Sequence, residues 1–531
     1  MCNADVRSIK GLALLISVCS LLASCELGID QSTLVKPNYE LLAPCARPDR
    51  AEATSIVLES LCGTLSVYED RASNSGRKID LNIMLIPATS SVVKPDPIFF
   101  LAGGPGQAAV EMGPLLFSRL SKLRRERDVV LVDQRGTGLS NSLACEPKEN
   151  TPMLDDLSYE EILSVQQLMI RKCLGQYDAN PALYTTPIAM DDLNEVRTSL
   201  GYRDINLYGI SYGTRAALVY LRRHESSVRS VILDSVVPMS MKVGEMVAVD
   251  AQASFEMLLA DCQAQVHCAE AFPQFEQHFN TLMDRLKDSP EDVTIVHPRT
   301  GELIEGKLSD KNIAQMLRGI LYDRDLSTLI PLAIEEAYKG NYQPLVTSNF
   351  VFSGGDGNES SGMSIGMMAS VLCSEDLSLV STPTEAKNFD NPIYQSLKPV
   401  CEFWPKGTLP DGYFEPVSSD KPALLLSGEF DPITPPKYGW EASATLSNSE
   451  HVVVPGVGHA ASLRGCVPEI MRDFVETIEP KQLSTSCVMN LDRPPFFTSF
   501  AGAVTSVNPG EQVANKNSSN SAAEEMTEDT L

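Results

Sequence analysis

The chain has 531 residues, of which 43% are hydrophobic, 21% charged and 6% aromatic, and its formal net charge is −26. This composition is that of a globular protein, which excludes a collagen-like, mainly disordered or polytopic membrane protein. So acidic a chain, without a long basic run, should repel nucleic acid. The length allows one large domain with an insertion, or two to three ordinary domains. The 13 cysteines are not arranged in tight CxxC pairs, so they do not indicate zinc.

The N-terminus has the pattern of a bacterial export signal. A short basic stretch precedes an apolar run over residues 11–24, which is too short to span a bilayer comfortably but suits a signal-peptide core. The run ends in L-A-S-C, which resembles a lipobox, the site at which a cysteine is lipidated and becomes the new N-terminus. We predict a lipoprotein signal peptide over 1–24, lipidation of Cys25, and a place in the cell envelope, at the outer membrane facing the periplasm. An ordinary signal peptide with a chance cysteine is the alternative.

Export changes the meaning of the cysteines. Cleavage removes Cys2 and Cys19, and lipid occupies Cys25, which leaves ten cysteines in an oxidising compartment. An even number there indicates disulfides, although sequence does not determine which cysteines pair. We expect neighbours along the chain to pair and close short loops: 45–62, 145–173, 262–268, 373–401 and 466–487.

Strand and helix patterns alternate through the first half of the chain. Residues 26–95 are predicted to be a leader with a pair of strands, because residues 79–83 alternate apolar and polar side chains. Over 96–239, short apolar runs typical of buried parallel strands are separated by helical patterns. This alternation predicts an α/β fold with a mostly parallel, doubly wound sheet. The strand runs are 98–101, 129–132, 205–208 and 231–233, and the helical patterns include 191–200 and 214–223.

The second half has a different character. Helical patterns dominate residues 240–415, and we predict a mainly helical cap inserted into the sheet. Strand runs return at 423–427 and 451–454, so residues 416–490 should complete the sheet. The segment 502–531 is rich in Asn, Ser, Glu and Ala, has little apolar content, and is predicted to be disordered.

One motif points to a nucleophile. Residues 209–213 read G-I-S-Y-G and match G-x-S-x-G. A strand pattern leads into the motif and a helical pattern leads out, which is the setting of a nucleophile elbow, a sharp turn that exposes the serine hydroxyl. The flanking glycines are needed because side chains there would clash in so tight a turn. We predict that Ser211 is a nucleophile; the alternative is a glycine-rich turn with a solvated serine.

A serine hydroxyl needs a base, and the base needs an acid to orient it. Of the six histidines, His459 lies in a loop directly after an apolar strand, whereas His451 begins that strand and is more typical of a structural residue. Asp431 follows another late strand run. We predict that Asp431 orients His459, which takes the proton from Ser211.

Negative charge that develops on an attacked carbonyl oxygen needs fixed donors. The backbone N–H of Tyr212, directly after the nucleophile, is one candidate. The second is Gly104, in the glycine-rich loop 102–106 that follows the first buried strand run. For that loop alone, a simple tight turn is an equally good interpretation.

Arg135 is interpreted as structural, a guanidinium that braces loops near the site.

Five segments together resemble the proline iminopeptidase and tripeptidyl aminopeptidase family of α/β-hydrolases, in which nucleophile, acid and base follow one another in this order. The resemblance covers roughly 80–490, with a TAP-like C-terminal part from about 400. Ala102 stands where proline iminopeptidases usually have His, and Tyr212 where they usually have Trp; both fit the exported tripeptidyl-aminopeptidase-like branch better. The segments are 103–107 (GGPGQ), 133–140 (DQRGTGLS, the most specific), 209–213, 428–435 and 458–459.

The resemblance implies an activity: cleavage of short peptides from a free N-terminus, with acidic groups that bind the α-amine, and with no metal or organic cofactor. A buried carboxylate can pair with an ammonium group and set its distance to the scissile bond. We suggest Glu375 or Asp376 as this anchor, because they are adjacent carboxylates beside a cysteine. Solvated acidic surface is the alternative.

Our leading hypothesis is a lipid-anchored serine exopeptidase, an aminopeptidase of the tripeptidyl or prolyl type that acts through an acyl-enzyme on Ser211. Its expected partners are peptides with a free N-terminus and, through lipid, a membrane. An esterase or other acyl hydrolase is the second hypothesis, since the triad does not choose between ester and amide. A non-catalytic envelope lipoprotein that keeps the fold for binding is the third.

Overall fold

The computed structural model describes residues 38–46, 55–145, 159–353 and 363–503. The predicted signal peptide (1–24), the predicted lipidation site Cys25 and all but the first two residues of the predicted tail (502–531) lie outside the described residues. Within the ranges that are described, no helix combines the length and the apolar character needed to cross a membrane.

Eleven strands lie in the described part of the chain. They are β1 (Leu42–Pro44), β2 (Leu61–Tyr68), β3 (Lys78–Ile86), β4 (Ile98–Leu101), β5 (Val129–Val132), β6 (Ile205–Ile210), β7 (Val228–Asp234), β8 (Glu291–Val296), β9 (Leu303–Leu308), β10 (Ala423–Gly428) and β11 (Ser449–Val454).

Nine of these strands form one sheet in the order β1-β2-β3-β5-β4-β6-β7-β10-β11. From β5 onward in this order, neighbouring strands pair in parallel. Strands β1, β2 and β3 form an antiparallel extension at one edge of the sheet. The predicted α/β sheet is therefore confirmed, and every predicted strand run lies within one of its strands. The strand pair expected in the leader is β2 and β3; it continues the main sheet because β3 pairs with β5.

The α-helices of the described residues are α1 (Ser55–Glu59), α2 (Ala109–Arg119), α3 (Tyr159–Leu174), α4 (Thr186–Ser199), α5 (Tyr212–His224), α6 (Val247–Ala264), α7 (Val266–Ala271), α8 (Phe275–Asp288), α9 (Asp310–Leu321), α10 (Ile330–Tyr338), α11 (Gln343–Phe352), α12 (Ile365–Glu375), α13 (Pro392–Leu397), α14 (Pro436–Ser443) and α15 (Val467–Thr477). Short 3₁₀ turns lie at 39–41, 181–183, 225–227, 326–329, 400–402, 461–463, 480–482 and 486–490.

The central strands are buried on both faces, which explains their continuous apolar runs. On one face, Phe99 and Leu207 pack with residues of α4 and α5. On the other face, Phe100 and Tyr208 pack with residues of α2 and α15. Alternate residues of a strand point to opposite faces, so β4 and β6 each contribute to both cores. This three-layer arrangement holds the carboxyl ends of the parallel strands along one edge.

Between β7 and β10 the chain forms the cap. Phe255, Phe279 and Leu317 belong to an apolar core of the cap itself, separate from the two faces of the sheet. The cap also contains the antiparallel hairpin β8–β9, which was not predicted; most of its residues are at least partly exposed, and only half of them are apolar. Helix α3 precedes the predicted cap in sequence but packs in one cluster with α12, through Ile170 and Leu372.

Five disulfides join neighbouring cysteines along the chain, which confirms the predicted pairing. Each closes a loop between 6 and 28 residues long in sequence separation. Cross-links of this kind stabilise mainly by restricting the unfolded chain. They are Cys45–Cys62, Cys145–Cys173, Cys262–Cys268, Cys373–Cys401 and Cys466–Cys487.

Candidate active site

Ser211 occupies a sharp turn between a strand and a helix. Strand β6 ends at Ile210 and helix α5 begins at Tyr212, so that Ser211 alone makes the connection, with φ +57° and ψ −126°. Positive φ is uncommon for a residue with a side chain and marks a strained position. A Cβ on Gly209 would lie 2.3 Å from the Gly213 carbonyl oxygen, and a Cβ on Gly213 would lie 2.1 Å from the Leu101 carbonyl oxygen, which explains both glycines of the motif. The predicted elbow geometry is therefore present.

The backbone of Ser211 is tied to the neighbouring strand and helix. Its N–H donates to the carbonyl oxygen of Asp234, the last residue of β7, at 2.9 Å. Its own carbonyl accepts from the N–H of Thr214 at 2.8 Å and from the Thr214 hydroxyl at 2.6 Å. The Ser211 hydroxyl makes no hydrogen bond with any described residue, and the side chain is part-exposed. This hydroxyl is therefore free to meet a ligand.

The glycine-rich loop after β4 lies directly against the elbow. A Cβ added to Gly103 would be 3.2 Å from the Cβ of Ser211, so a side chain at this position would require its neighbours to shift by a few tenths of an ångström. Gly104 has φ +109°, a conformation that glycine adopts without strain. Neither Gly104 nor Tyr212 donates its backbone N–H to an acceptor among the described residues. The structure thus brings the two predicted donors to the same turn with their N–H groups unused.

His459 and Asp431 form a close pair. The imidazole Nδ1 lies 2.8 Å from Asp431 Oδ2, and the exposed side-chain fractions are 12% and 0%. Oδ1 of Asp431 also accepts the backbone N–H groups of Ile433 and Thr434 at 3.0 and 2.8 Å. Because Nδ1 faces the carboxylate, Nε2 is the nitrogen left for chemistry.

The charges of this pair shift both pKa values. Burial lowers the pKa of His459, but the charge of Asp431 and its hydrogen bond outweigh burial and hold this pKa above the ordinary 6.5. Burial raises the pKa of Asp431, yet the His459 charge and the hydrogen bonds that Asp431 accepts keep it below 3.8. A carboxylate that stays ionised next to an imidazole stabilises the imidazolium that forms when a proton is taken up.

Thr434 contacts both Asp431 and His459, a role that was not predicted from the sequence. Its hydroxyl donates to Asp431 Oδ2 at 2.8 Å and lies 3.2 Å from His459 Nδ1. The spacing Asp-x-x-Thr after a strand could have indicated it, because a threonine three residues after an aspartate often hydrogen-bonds it in a turn.

Asp234 holds the histidine loop in place, and the sequence analysis missed it as well. Its carboxylate accepts the backbone N–H groups of Ala461 and Ser462, each at 2.9 Å. The next residue, Ser235, accepts the N–H of Ala460 through its hydroxyl at 2.9 Å. An acid directly after a buried strand run was the available signal. No hydrogen bond joins Ser211 to His459 in the described structure. The two residues are connected through Asp234, which binds the backbone of Ser211 and the loop that follows His459.

The cap reaches the histidine through Tyr322. The N–H of His459 donates to the Tyr322 carbonyl at 2.9 Å, and the two rings lie 4.9 Å apart between centroids at 58°. Tyr322 directly follows helix α9 of the cap. On the opposite side, the Ser364 N–H donates to the carbonyl of Gly106 at 2.8 Å. The cap therefore contacts both the histidine loop and the glycine-rich loop.

The two acids suggested as an amine anchor, Glu375 and Asp376, are both 0% exposed, so the alternative of a solvated acidic surface is wrong, and the anchor role stays a prediction. Asp376 is paired with the Arg215 guanidinium through Nη1, at 2.7 and 2.9 Å. Glu375 accepts from the Thr186 N–H at 2.7 Å, the Thr186 hydroxyl at 2.8 Å and the Tyr413 hydroxyl. Asp376 also accepts the Val243 N–H at 2.9 Å, so each of the two carboxylates already accepts three hydrogen bonds from internal donors.

Arg135 is structural, as interpreted from the sequence. It is fully buried and forms two hydrogen bonds to Asp192, at 2.6 and 2.9 Å. It also donates to the backbone carbonyls of Glu69 and Leu183, at 2.7 and 3.0 Å. One guanidinium thus joins the end of β2 to the segment that enters α4.

The remaining candidates for chemistry are structural. His451 is buried, its Nε2 lies 2.9 Å from the Ser427 hydroxyl, and burial lowers its pKa to about 4. Nδ1 of His278 lies 2.6 Å from Glu335 and Nε2 of His224 lies 3.0 Å from Asp191, both away from the elbow. In the part of the chain that is described, His, Cys, Asp and Glu form no group of three that could hold a metal ion.

Two family models match the chain. One is described as alpha/beta hydrolase fold and matches residues 96–270; the other is described as TAP-like protein and matches residues 386–487. The first match includes the elbow and the glycine-rich loop, and the second includes Asp431 and His459.

Curated relatives at low identity include proteins named as peptidases. The chain is 23% identical over 455 residues to the serine protease Hip1 of Mycobacterium tuberculosis, covering 78% of this chain and 85% of that protein. It is 28% identical over 223 residues to the tripeptidyl aminopeptidase of Streptomyces coelicolor, covering 40% of this chain and 41% of that protein. These similarities and the two family matches agree with the geometry of the site.

Proposed function

We propose that this chain, a serine hydrolase of the α/β-hydrolase fold with a TAP-like C-terminal segment, is an exopeptidase that removes short peptides from a free N-terminus. The observation that carries the chemistry is the buried Asp431–His459 pair, held 2.8 Å apart at the strand edge that presents Ser211. The similarity to proteins named serine protease and tripeptidyl aminopeptidase supports a peptide substrate.

The proposed reaction begins when the Ser211 hydroxyl attacks the carbonyl carbon and His459 Nε2 takes its proton. The carbonyl oxygen becomes an oxyanion, which the N–H groups of Gly104 and Tyr212 stabilise. The imidazolium, stabilised by Asp431, then gives its proton to the leaving amine, and the C–N bond breaks to leave an acyl-enzyme. His459 next takes a proton from water, which attacks the ester carbonyl; the ester C–O bond breaks, the acyl group leaves as a carboxylic acid, and His459 returns the proton to the Ser211 oxygen.

The cap supports an exopeptidase over an endopeptidase. It contacts the histidine loop through Tyr322 and the glycine-rich loop through Ser364, so it borders the site on two sides. Such a border favours short peptides and chain ends over the middle of a folded protein, because a long chain cannot pass through without moving the cap. The tripeptidyl or prolyl preference is proposed from the family resemblance.

Substrate choice tests this proposal. The wild type is expected to hydrolyse peptide p-nitroanilides with a free α-amine faster than the same peptides with an acetylated amine, and a fluorophosphonate should label Ser211. Ser211→Ala should remove labelling and turnover, and the surface variant Ser118→Ala on α2 is the matched control. Turnover of p-nitrophenyl esters alone would support an esterase. Absence of labelling would contradict the serine mechanism and favour a binding protein.

We also propose that the protein is exported and anchored by lipid on Cys25 in the bacterial envelope. Five disulfides support an oxidising compartment, because they are rare in reducing cytosol. The test is expression of the full chain with radiolabelled palmitate. Label should enter the wild type but not Cys25→Ser, and the variant should leave the membrane fraction. An unlabelled wild type would contradict the anchor.

A further inference from the structure

Two neighbouring carboxylates at the end of cap helix α12 both reach the first turn of α5, the helix that follows Ser211. Asp376 does so directly, through its pair with Arg215, whose side chain is 1% exposed. Glu375 does so indirectly, through the hydroxyl of Thr186, which lies 2.7 Å from the Tyr212 hydroxyl. Glu375, Thr186 and Tyr212 are all buried, so this chain of hydrogen bonds has no competition from bulk water.

The directions of these hydrogen bonds can be assigned. The Thr186 hydroxyl donates its single proton to Glu375 Oε2 at 2.8 Å. It must therefore accept at the 2.7 Å contact, and the Tyr212 hydroxyl is the donor. The Thr186 N–H donates to the other carboxylate oxygen at 2.7 Å. Because Glu375 accepts from both the N–H and the hydroxyl of Thr186, it fixes the position of Thr186. Hydrogen bonds to an ionised acceptor are stronger than those between neutral groups.

We propose that Glu375 is a positioning residue, which acts through Thr186 to hold Tyr212 so that the Tyr212 N–H points at the oxyanion. This inference depends on the proposed function only in requiring Ser211 to be the nucleophile. Tyr212 directly follows the strained Ser211 and begins the first turn of α5. Its side-chain hydroxyl connects it to Thr186, which lies outside the elbow. Preorganised donors stabilise an oxyanion because they need no reorientation during the reaction.

The surroundings of Glu375 act on the stability of its charge in both directions. Burial raises its pKa to about 7, and the hydrogen bonds from Tyr413 and Thr186 act in the opposite direction. Asp376 adds repulsion, while the Arg215 guanidinium in the same cluster is attractive. A buried carboxylate is costly unless its oxygens are satisfied, so the arrangement of three donors around Glu375 indicates a specific task.

Thr186 and its neighbour Thr185 offer a matched pair of variants. Both are buried, but the Thr185 hydroxyl has no hydrogen-bond partner in the described structure. Thr186→Val removes the link to Tyr212 with little change of shape, and Thr185→Val makes the same chemical change one residue away. We expect Thr186→Val to lower kcat for a p-nitrophenyl ester about tenfold with KM within about twofold, because the loss falls on the transition state. Thr185→Val should leave both parameters within about twofold.

A peptidyl trifluoromethyl ketone, which forms an oxyanion on Ser211, gives a second readout. Its affinity should fall by the same factor as kcat in Thr186→Val, and Tyr212→Phe should reproduce the effect. Glu375→Asp should recover more activity than Glu375→Gln, because it keeps the charge. Equal kcat in the two valine variants, or a change confined to KM, would overturn the inference. A wild type that hydrolyses esters but not peptides would refute the exopeptidase while leaving this comparison intact.

Discussion

The backbone N–H of Ser211 donates to the carbonyl oxygen of Asp234 at 2.9 Å, and the carboxylate of Asp234 holds the loop that follows His459. One residue at the end of β7 therefore connects the two groups that must exchange a proton. Strand β7 lies between β6, which leads to the elbow, and β10, which leads to Asp431. The alignment of the site depends on this central strand.

Asp234→Asn should therefore damage both stability and activity. In the wild type, each oxygen of the Asp234 carboxylate accepts one backbone N–H. The asparagine keeps one of these acceptor oxygens but places an NH₂ group opposite the other N–H. Leaving that buried donor unsatisfied should lower the free energy of unfolding by about 1–3 kcal/mol, and kcat should fall at least tenfold. Chemical denaturation and ester turnover measure the two effects.

Asp128→Asn is the control for this variant. Asp128 is also buried and accepts a backbone N–H, that of Ala88, at 2.9 Å. It lies just before β5, at the amino edge of the sheet, away from the site. It should lose comparable stability while kcat stays within about twofold. A similar fall of kcat in both variants would show that Asp234 contributes only to stability.

The pH dependence of activity should follow His459. The base must be neutral, and Asp431 favours the protonated form, so kcat/KM should rise with pH and reach half its maximum above pH 6.5. Asp431→Asn removes the negative charge, so the midpoint should move to lower pH. The maximal rate should fall by about 10³–10⁴-fold, because the imidazole loses its orientation. A midpoint that Asp431→Asn leaves unchanged would mean that another group titrates.

Stability should depend on pH through Glu375. Its pKa is about 7 in the folded protein against 4.5 for an ordinary glutamate, so between these values the folded state binds more protons than the unfolded state. The sign follows directly: this group favours folding most at low pH, and its contribution falls as pH rises through 7. The free energy of unfolding of the wild type, minus that of Glu375→Gln, should decrease between pH 5 and 8 by up to about 3 kcal/mol.

The exposed Glu479 provides the control for this measurement. Glu479→Gln is measured over the same pH range as a Glu-to-Gln change at an exposed position. Subtraction cancels the titration of all other groups, so a flat difference for Glu375→Gln would contradict a raised pKa at Glu375.

Tyr322 should affect catalysis through its ring. The ring packs 4.9 Å from the imidazole of His459, and aromatic pairs of this kind contribute roughly 0.5–1.5 kcal/mol. Tyr322→Ala should lower kcat/KM about three- to tenfold and slow inactivation by a fluorophosphonate. Tyr322→Phe keeps the ring and loses only the 3.4 Å contact with Arg318, so it should stay within about twofold. If the phenylalanine variant loses as much activity as the alanine variant, the hydroxyl and not the ring is the important group.

Much of the core could be predicted because each parallel strand carries its own signal. An apolar run of four residues is enough to identify β4 or β5, since both faces of such a strand are buried. The elbow is equally local, because the turn at Ser211 requires glycine on both sides. The hairpin β8–β9 has no such signal, since most of its residues are at least partly exposed and only half of them are apolar.

The adjacent acids Glu375 and Asp376 show where sequence reasoning fails. Two adjacent acidic residues give the same sequence pattern whether their carboxylates face a ligand or an internal guanidinium. Only the packing of α12 against α5 decides that Arg215 and Thr186 are their partners. Tyr322 and Asp234 were missed for the same reason, because their partners, His459 for Tyr322 and Ala461 for Asp234, lie more than a hundred residues away in sequence.

The sequence by itself determined the sheet, the elbow at Ser211, and the choice of Asp431 and His459 as partners, and it favoured the neighbour pairing of the cysteines that the structure confirms. These features follow from local patterns, from strand ends that must meet at one edge of a parallel sheet, and from short cysteine spacings. The tertiary structure alone decided that Asp234 joins the two loops, that the cap touches His459, and that Glu375 supports Tyr212. Contacts between distant segments depend on how helices and strands pack, and no local pattern records that.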